Sequence, residues 1–181
     1  MRGMTALYHR FFFRDVWLTG LTYLVLLLAA DLGAKRAAAA LPFVALLGAV
    51  MTAFDASYLV FARQYSIRLE RLLNETVGQQ ILVGGELEDV YLFRLDGTKV
   101  VTIGLPFTWF GFVTVFLTAL GAVAYAAGVA LAIDAVAGSA RLLLVGSLGA
   151  LTAAALAVGI WWFVAGVGER RLREVLDRHF G

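Results

Sequence analysis

The sequence predicts an all-α integral membrane protein with four transmembrane helices in two hairpins, separated by a small cytoplasmic insert that contains β-structure. Of the 181 residues, 61% are hydrophobic and only 15% are charged, whereas soluble domains are about half apolar and about a quarter charged. Four long stretches carry almost no charge. A fifth stretch, between the second and third of these, has the short apolar runs and turn signals of strands.

The four weakly charged stretches are each long enough to cross a bilayer, which takes roughly 20 mostly apolar residues. No charged residue occurs in residues 100–133 or 142–168. Asp55 is the only charge between Arg36 and Arg63. The predicted helices cover about 13–33, 39–62, 106–132 and 142–167.

The distribution of Lys and Arg predicts the orientation of these helices. Of the 15 such residues, three fall in the two short outer connections, namely Lys35, Arg36 and Arg141. The others fall in the N-terminal segment, the segment between helices two and three, and the C-terminal segment. Positively charged connections stay in the cytoplasm, so both termini and the middle segment are predicted to be cytoplasmic. The four tryptophans (Trp17, Trp109, Trp161 and Trp162) fall at the same ends, as an interfacial belt would.

These features divide the chain into three predicted parts. Residues 1–63 form the first hairpin, and residues 105–181 form the second hairpin with a basic amphipathic tail. Residues 64–104 are predicted to be a cytoplasmic amphipathic helix followed by a small β-hairpin around the turn Asp96-Gly97, with 81–83 as a further strand. A lone hairpin is barely stable, so this insert either packs against its own helices or serves as an edge for assembly.

Asp55 is the one ionisable residue well inside a predicted span. A carboxylate there costs at least a few kcal/mol unless it is paired, hydrated or protonated. Thr52 and Tyr58, at i−3 and i+3, share its side of the helix. Two interpretations follow. Asp55 lines a hydrated path as a proton-linked or cation-attracting group, or it is a protonated carboxyl that fixes helix packing through hydrogen bonds.

Hydroxyls and small residues on the other helices bear on both interpretations. Hydroxyls that neighbouring helices could bring to Asp55 are those of Thr19, Thr22, Tyr23, Thr114 and Thr118. Small residues recur every fourth position at Thr114, Thr118, Ala122, Ala126 and Ala130, and at Gly146, Ala150 and Ala154. Such stripes let helix backbones approach closely in a membrane, either within one bundle or between copies.

The residues for common chemistries are sparse. There is no cysteine, which excludes disulfides and thiolate sites. No phosphate-binding glycine loop, H-E-x-x-H helix or G-x-S-x-G elbow occurs. The two histidines have no fixed spacing that indicates a metal site, and no basic stripe or fold motif indicates nucleic-acid binding. We therefore expect no enzyme activity, cofactor or metal.

The sequence favours a small oligomeric membrane protein of the channel or transporter type, with Asp55, Thr52 and Tyr58 on a hydrated path. Four helices enclose little more than their own side chains, so such a path is expected to need several copies around an axis. The alternative is a non-catalytic membrane subunit or adaptor that docks a membrane or cytoplasmic partner through its tails and insert. Both hypotheses place the protein in the lipid bilayer.

Overall fold

The chain folds into α-helices in every long segment that the structure describes. The structure is a computed structural model, and it describes residues 2–84 and 109–180. Its α-helices in these ranges are α1 (Arg2–Asp31), α2 (Leu41–Val77), α3 (Trp109–Ala135), α4 (Ser139–Gly159) and α5 (Val167–Phe180). A 3₁₀ helix (Lys35–Ala40) leads into α2, and a π-helical turn (Ile160–Val164) continues α4. We call the end of the bundle at which α1 begins and α2 ends the basal end.

In residues 2–84 and 109–180, four helical segments are long and apolar enough to cross a membrane. They are Arg10–Asp31, Lys35–Val77, Phe112–Ala135 and Ser139–Val164. The prediction of four apolar helices is confirmed, and these helices fit a multi-pass membrane protein. The second helix is longer than predicted because the amphipathic stretch that follows its apolar part continues the same helix to Val77.

The prediction of a β-containing insert is wrong. No strand occurs in the residues that the structure describes. Ile81 and Leu82, predicted as strand, donate their backbone N–H groups to Oδ1 of Asn74 at 3.0 and 2.9 Å, and Nδ2 of Asn74 donates to the Leu82 carbonyl at 2.8 Å. A helix side chain therefore satisfies the backbone groups that a strand would have to pair. The hairpin predicted around Asp96-Gly97 lies outside the described residues.

Helix α2 forms the centre of the bundle. In its most apolar stretch 28% of the residues are buried, against 6% in the corresponding stretches of α1 and α4. Its buried row repeats at helical spacing and consists of Leu41, Ala45, Gly48, Asp55, Leu59 and Ala62. Three members of this row are Ala or Gly, so neighbouring helices can approach the α2 backbone closely. Asp55 is charged, and so is Arg63, which follows Leu59 by four residues and is also buried.

Close contacts fix the register of α1 and α3 against α2. Gly48 of α2 lies directly against the side chain of Thr19, so α1 and α2 run antiparallel from their short connection. Gly128 of α3 lies against the start of α2 at Leu41 and Pro42. Between α1 and α3, the Tyr23 hydroxyl donates to the Ala124 carbonyl at 2.7 Å. Three helices are thus locked together in the half of the bundle away from the basal end.

Helix α4 packs more loosely than the other apolar helices. Leu148 is its one buried residue, and the hydroxyls of Tyr125 on α3 and Thr152 on α4 lie 2.6 Å apart. These two residues also line a groove of about 440 Å³ between α3 and α4, whose other walls are apolar. No residue of α2 lines the groove, so it does not reach Asp55.

Substituting Gly128 with alanine is expected to lower the free energy of unfolding by about 1 kcal/mol or more. The new Cβ would lie 3.1 Å from the Pro42 nitrogen and 3.2 Å from Cβ of Leu41, and the Pro42 backbone cannot rotate away. Unfolding in detergent micelles measures the change. Gly121→Ala on the same helix is the control, since no atom lies within 4 Å of the added carbon. Equal stabilities of the two variants would contradict the contact.

Candidate functional site

The Asp55 carboxyl is buried between helices. The residue is 7% exposed, and its Oδ2 has no hydrogen-bond partner among the residues that the structure describes. Asp55 follows Gly48 by seven residues, which is close to two helical turns, so it lies on the face of α2 that contacts α1. A buried carboxyl oxygen without a partner is costly, and native structures contain few such groups. This position therefore calls for an explanation beyond packing.

The two residues predicted to accompany Asp55 have different environments. Thr52 is half-buried one turn before Asp55. Tyr58 is 39% exposed, and its ring packs edge-on against Phe54, with the ring centres 4.8 Å apart. The structure thus places Thr52 beside Asp55 in the bundle and turns Tyr58 toward the bundle surface.

The hydroxyls that could have come from neighbouring helices contact other groups. Tyr23 donates to Ala124, and Thr118 donates to the Thr114 carbonyl of its own helix at 2.7 Å. Thr19 packs against Gly48, while Thr22 is exposed. The buried oxygen of Asp55 receives a hydrogen bond from none of these hydroxyls.

A second carboxyl, Asp15 on α1, lies within electrostatic range of Asp55, as does Arg14. Arg14 holds Asp15 through Nε and Nη2, each 2.8 Å from Oδ1. The Asp15 side chain is only 11% exposed, whereas that of Arg14 is 57% exposed. Arg14 also lies over the Phe11 ring, 4.8 Å from its centre. The site therefore contains two largely buried carboxyls and one guanidinium that reaches the surface.

The basal end of the bundle adds further buried charge. Arg63 on α2 is fully buried, and Glu169 at the start of α5 is 9% exposed and paired with Arg173. Nε1 of Trp162 donates to Oγ of Ser57 at 2.8 Å, which ties the π-helical turn to α2. Beyond this turn, toward the basal end, α5 lies beside the last part of α2.

An ion pair joins α5 to α2. Arg68 and Asp177 form an ion pair at 3.2 Å, and Leu176 is 4% exposed. The basic amphipathic tail predicted from sequence is thus a helix packed on the bundle.

Helix geometry gives the depth of Asp55 relative to the other end of α2. The 14 residues from Leu41 to Asp55 rise about 21 Å at about 1.5 Å each. A hydrocarbon core is about 30 Å thick, so with Leu41 at one boundary Asp55 would lie about 9 Å inside the other. Ser57, two residues after Asp55, accepts a hydrogen bond from Trp162, so this tryptophan lies at nearly the level of Asp55. Tryptophan is typical of the membrane–water interface. By this geometry Asp55 lies in the basal half of the membrane, about 6 Å from its centre.

A scan of protein-family models and searches of curated proteins and of solved structures found no match to this chain.

Sequence reasoning singled out Asp55 but missed Asp15 as its neighbour. Asp15 borders the first apolar stretch, and 40 positions separate the two acids, so the sequence pattern does not pair them. The available signal was Gly48 itself. A glycine seven residues before the intramembrane acid marks the face of α2 where another helix approaches closely, and the short connection makes α1 that helix.

Proposed function

We propose that this chain is the subunit of an oligomeric membrane channel or transporter in which Asp55 is the polar group of a hydrated, proton-linked path. The observation that carries the proposal is the buried Oδ2 of Asp55. This oxygen lies in a helix long and apolar enough to span a membrane and has no hydrogen-bond partner among the described residues. Acidic residues at such depth commonly mark ion or proton pathways. The excess of Lys and Arg in the basal segments supports an orientation with both termini in the cytoplasm.

Outward-facing small residues support assembly into an oligomer. The stripe on α3 and the stripe on α4 are both exposed rather than packed against each other; they are Thr114, Thr118, Ala122, Ala126 and Ala130, and Gly146, Ala150 and Ala154. Lipid chains gain little from such surfaces, whereas helices pack closely along them. The same exposure favours the second candidate, a non-catalytic subunit that docks a membrane partner along α3 and α4.

Asp55→Asn is expected to abolish the pH dependence of flux through the reconstituted protein. The amide keeps the shape of the side chain but can neither ionise nor carry an acidic proton. The experiment reconstitutes the purified protein into liposomes, follows proton and alkali-cation flux with entrapped dyes, and measures the mass of the assembly in lipid. Asp134→Asn is the control, since Asp134 is an exposed acid at the opposite end of the bundle.

Two results would overturn the channel or transporter proposal. Unchanged pH-dependent flux through the Asp55→Asn variant would remove the role of Asp55. A monomer in lipid without flux would remove the channel or transporter and leave the docking subunit, whose partner should then copurify with the intact protein.

A further inference from the structure

The register of α1 on α2 brings Asp15 to the face on which Asp55 lies. Thr19 is level with Gly48, and the helices run antiparallel, so position 12 of α1 is level with position 55 of α2. Phe12 is buried there. Asp15 follows Phe12 by three residues, so its side chain emerges on the same face of α1, about one turn further from the basal end. The electrostatic coupling of Asp15 to Asp55 agrees with this register.

The charges at this position do not balance. The carboxylates of Asp15 and Asp55 and the guanidinium of Arg14 sum to one net negative charge, in a place where two of the three side chains are nearly buried. Removing an unbalanced charge from water is costly. One added proton would make the group neutral.

Among the side chains that the structure describes, the other charged groups do not supply this missing positive charge. Arg10 is exposed and lies two residues before Phe12, on the opposite face of α1. Arg63 lies eight residues further along α2, or about 12 Å. On α5, Glu169 is paired with Arg173. Residues 109–133 and 142–159, which cover α3 up to its last turn and α4 after its first, contain no charged side chain. The guanidinium of Arg14 is bound to Asp15, so a metal cation at this site would be repelled by its positive charge. A proton needs only one carboxylate oxygen.

We propose that Asp15 and Asp55 share one proton and act as a proton-exchange pair between α1 and α2, with Arg14 as its positioning residue. The inference rests on the proposed function, because it names the proton as the ion that the Asp55 site handles. Two carboxyls in one site cannot both ionise without a large cost, so they titrate as a unit.

The exchange moves a proton without any change in covalent bonds to carbon. The O–H bond of the Asp55 carboxyl breaks as an O–H bond forms on the Asp15 carboxylate, so the negative charge moves to Asp55. Asp15 then releases the proton to water, and Arg14 remains protonated throughout. The exposed fraction rises from Asp55 through Asp15 to Arg14, so the transfer runs from the interior of the bundle toward its surface.

Infrared spectroscopy of the protein in lipid tests the pair without any need for flux. The carbonyl stretch of a protonated carboxyl is followed as pH is changed from acid to mildly alkaline. The wild type is expected to keep one such band at neutral pH. Both Asp15→Asn and Asp55→Asn should lose that band, because the remaining carboxylate and Arg14 already sum to zero charge. The controls Asp31→Asn and Asp134→Asn, which change exposed acids at the opposite end, should retain it.

Arg14→Gln gives an independent readout that does not require removal of either acid. Without the guanidinium the two carboxylates carry two negative charges, so the band at neutral pH is expected to about double as both take up protons. An unchanged band in Arg14→Gln, or a band that persists in Asp15→Asn, would overturn the shared proton.

The spectra test the shared proton and the flux measurement tests the channel or transporter, so either proposal can be rejected while the other stands. Liposomes without flux whose protein shows the shared-proton spectra would reject the channel or transporter and leave the pair intact. Proton-dependent flux from a protein whose Asp15→Asn variant keeps the wild-type band would reject the pair and leave the role of Asp55.

Discussion

Replacing Gly48 with alanine is expected to push α1 away from α2 and to lower the free energy of unfolding by roughly 2–3 kcal/mol, the upper part of the range for overpacked interiors. An added Cβ would lie 2.9 Å from Oγ1 of Thr19 and still closer to its Cγ2. Thr19 is β-branched and has few alternative rotamers in a helix. The added methyl therefore cannot be accommodated by a side-chain rotation alone, and the helices must separate.

A second substitution on α1 makes this prediction specific to the contact. Thr19→Ala removes the two nearest atoms, so the double variant is expected to recover most of the lost stability, with a coupling energy of about 1 kcal/mol or more. Unfolding in detergent micelles measures all four members of the cycle. Gly20→Ala is the matched control, because nothing lies within 4 Å of its new carbon and alanine is favoured over glycine in a helix by about 1 kcal/mol.

Stabilisation by Gly48→Ala would contradict the register of α1 on α2. The alignment of Asp15 with Asp55 depends on the same register, so this result would also remove the geometric basis of the shared proton. A destabilised Gly48→Ala variant that Thr19→Ala does not rescue would place the clash elsewhere on α1 and shift Asp15 along the helix.

The four apolar helices could be predicted because a bilayer selects for a property of single segments, namely length without charge. The insert could not be predicted in this way. The apolar run Ile81-Leu82-Val83 indicates a strand only if another strand is available, and the Asn74 side chain supplies both a donor and an acceptor instead. A pattern of apolar and polar residues does not indicate that a helix side chain seven residues earlier will form these hydrogen bonds.

The candidate site could be predicted only in part, for a related reason. Asp55 is conspicuous because its neighbours in sequence are apolar, but what surrounds it depends on helix packing. Asp15 follows an arginine at the edge of an apolar stretch, which is where ordinary interfacial charges occur. Its burial becomes apparent only when α1 is aligned with α2 through Gly48.

Arg63 is a further residue whose surroundings depend on helix packing, since in sequence it is only the charge that ends the second apolar stretch. In the structure it is the largest of the fully buried side chains in the described residues, and α2 continues beyond it to Val77. Removing Arg63 from the orientation count leaves a strong excess of Lys and Arg in the basal segments. The predicted orientation therefore does not depend on this residue.

Arg63→Ala is expected to lower the free energy of unfolding by roughly 2–5 kcal/mol, the range for emptying a large buried position. Arg63→Met should recover a large part of this loss, because its unbranched side chain refills most of the volume without a charge. Arg71→Ala, at an exposed position two turns further along α2, should change stability by no more than about 0.5 kcal/mol. If Arg63→Ala were as mild as Arg71→Ala, α5 would not cover α2 in the membrane. Arg63 would then lie in water and mark the membrane boundary itself, about 12 Å from Asp55.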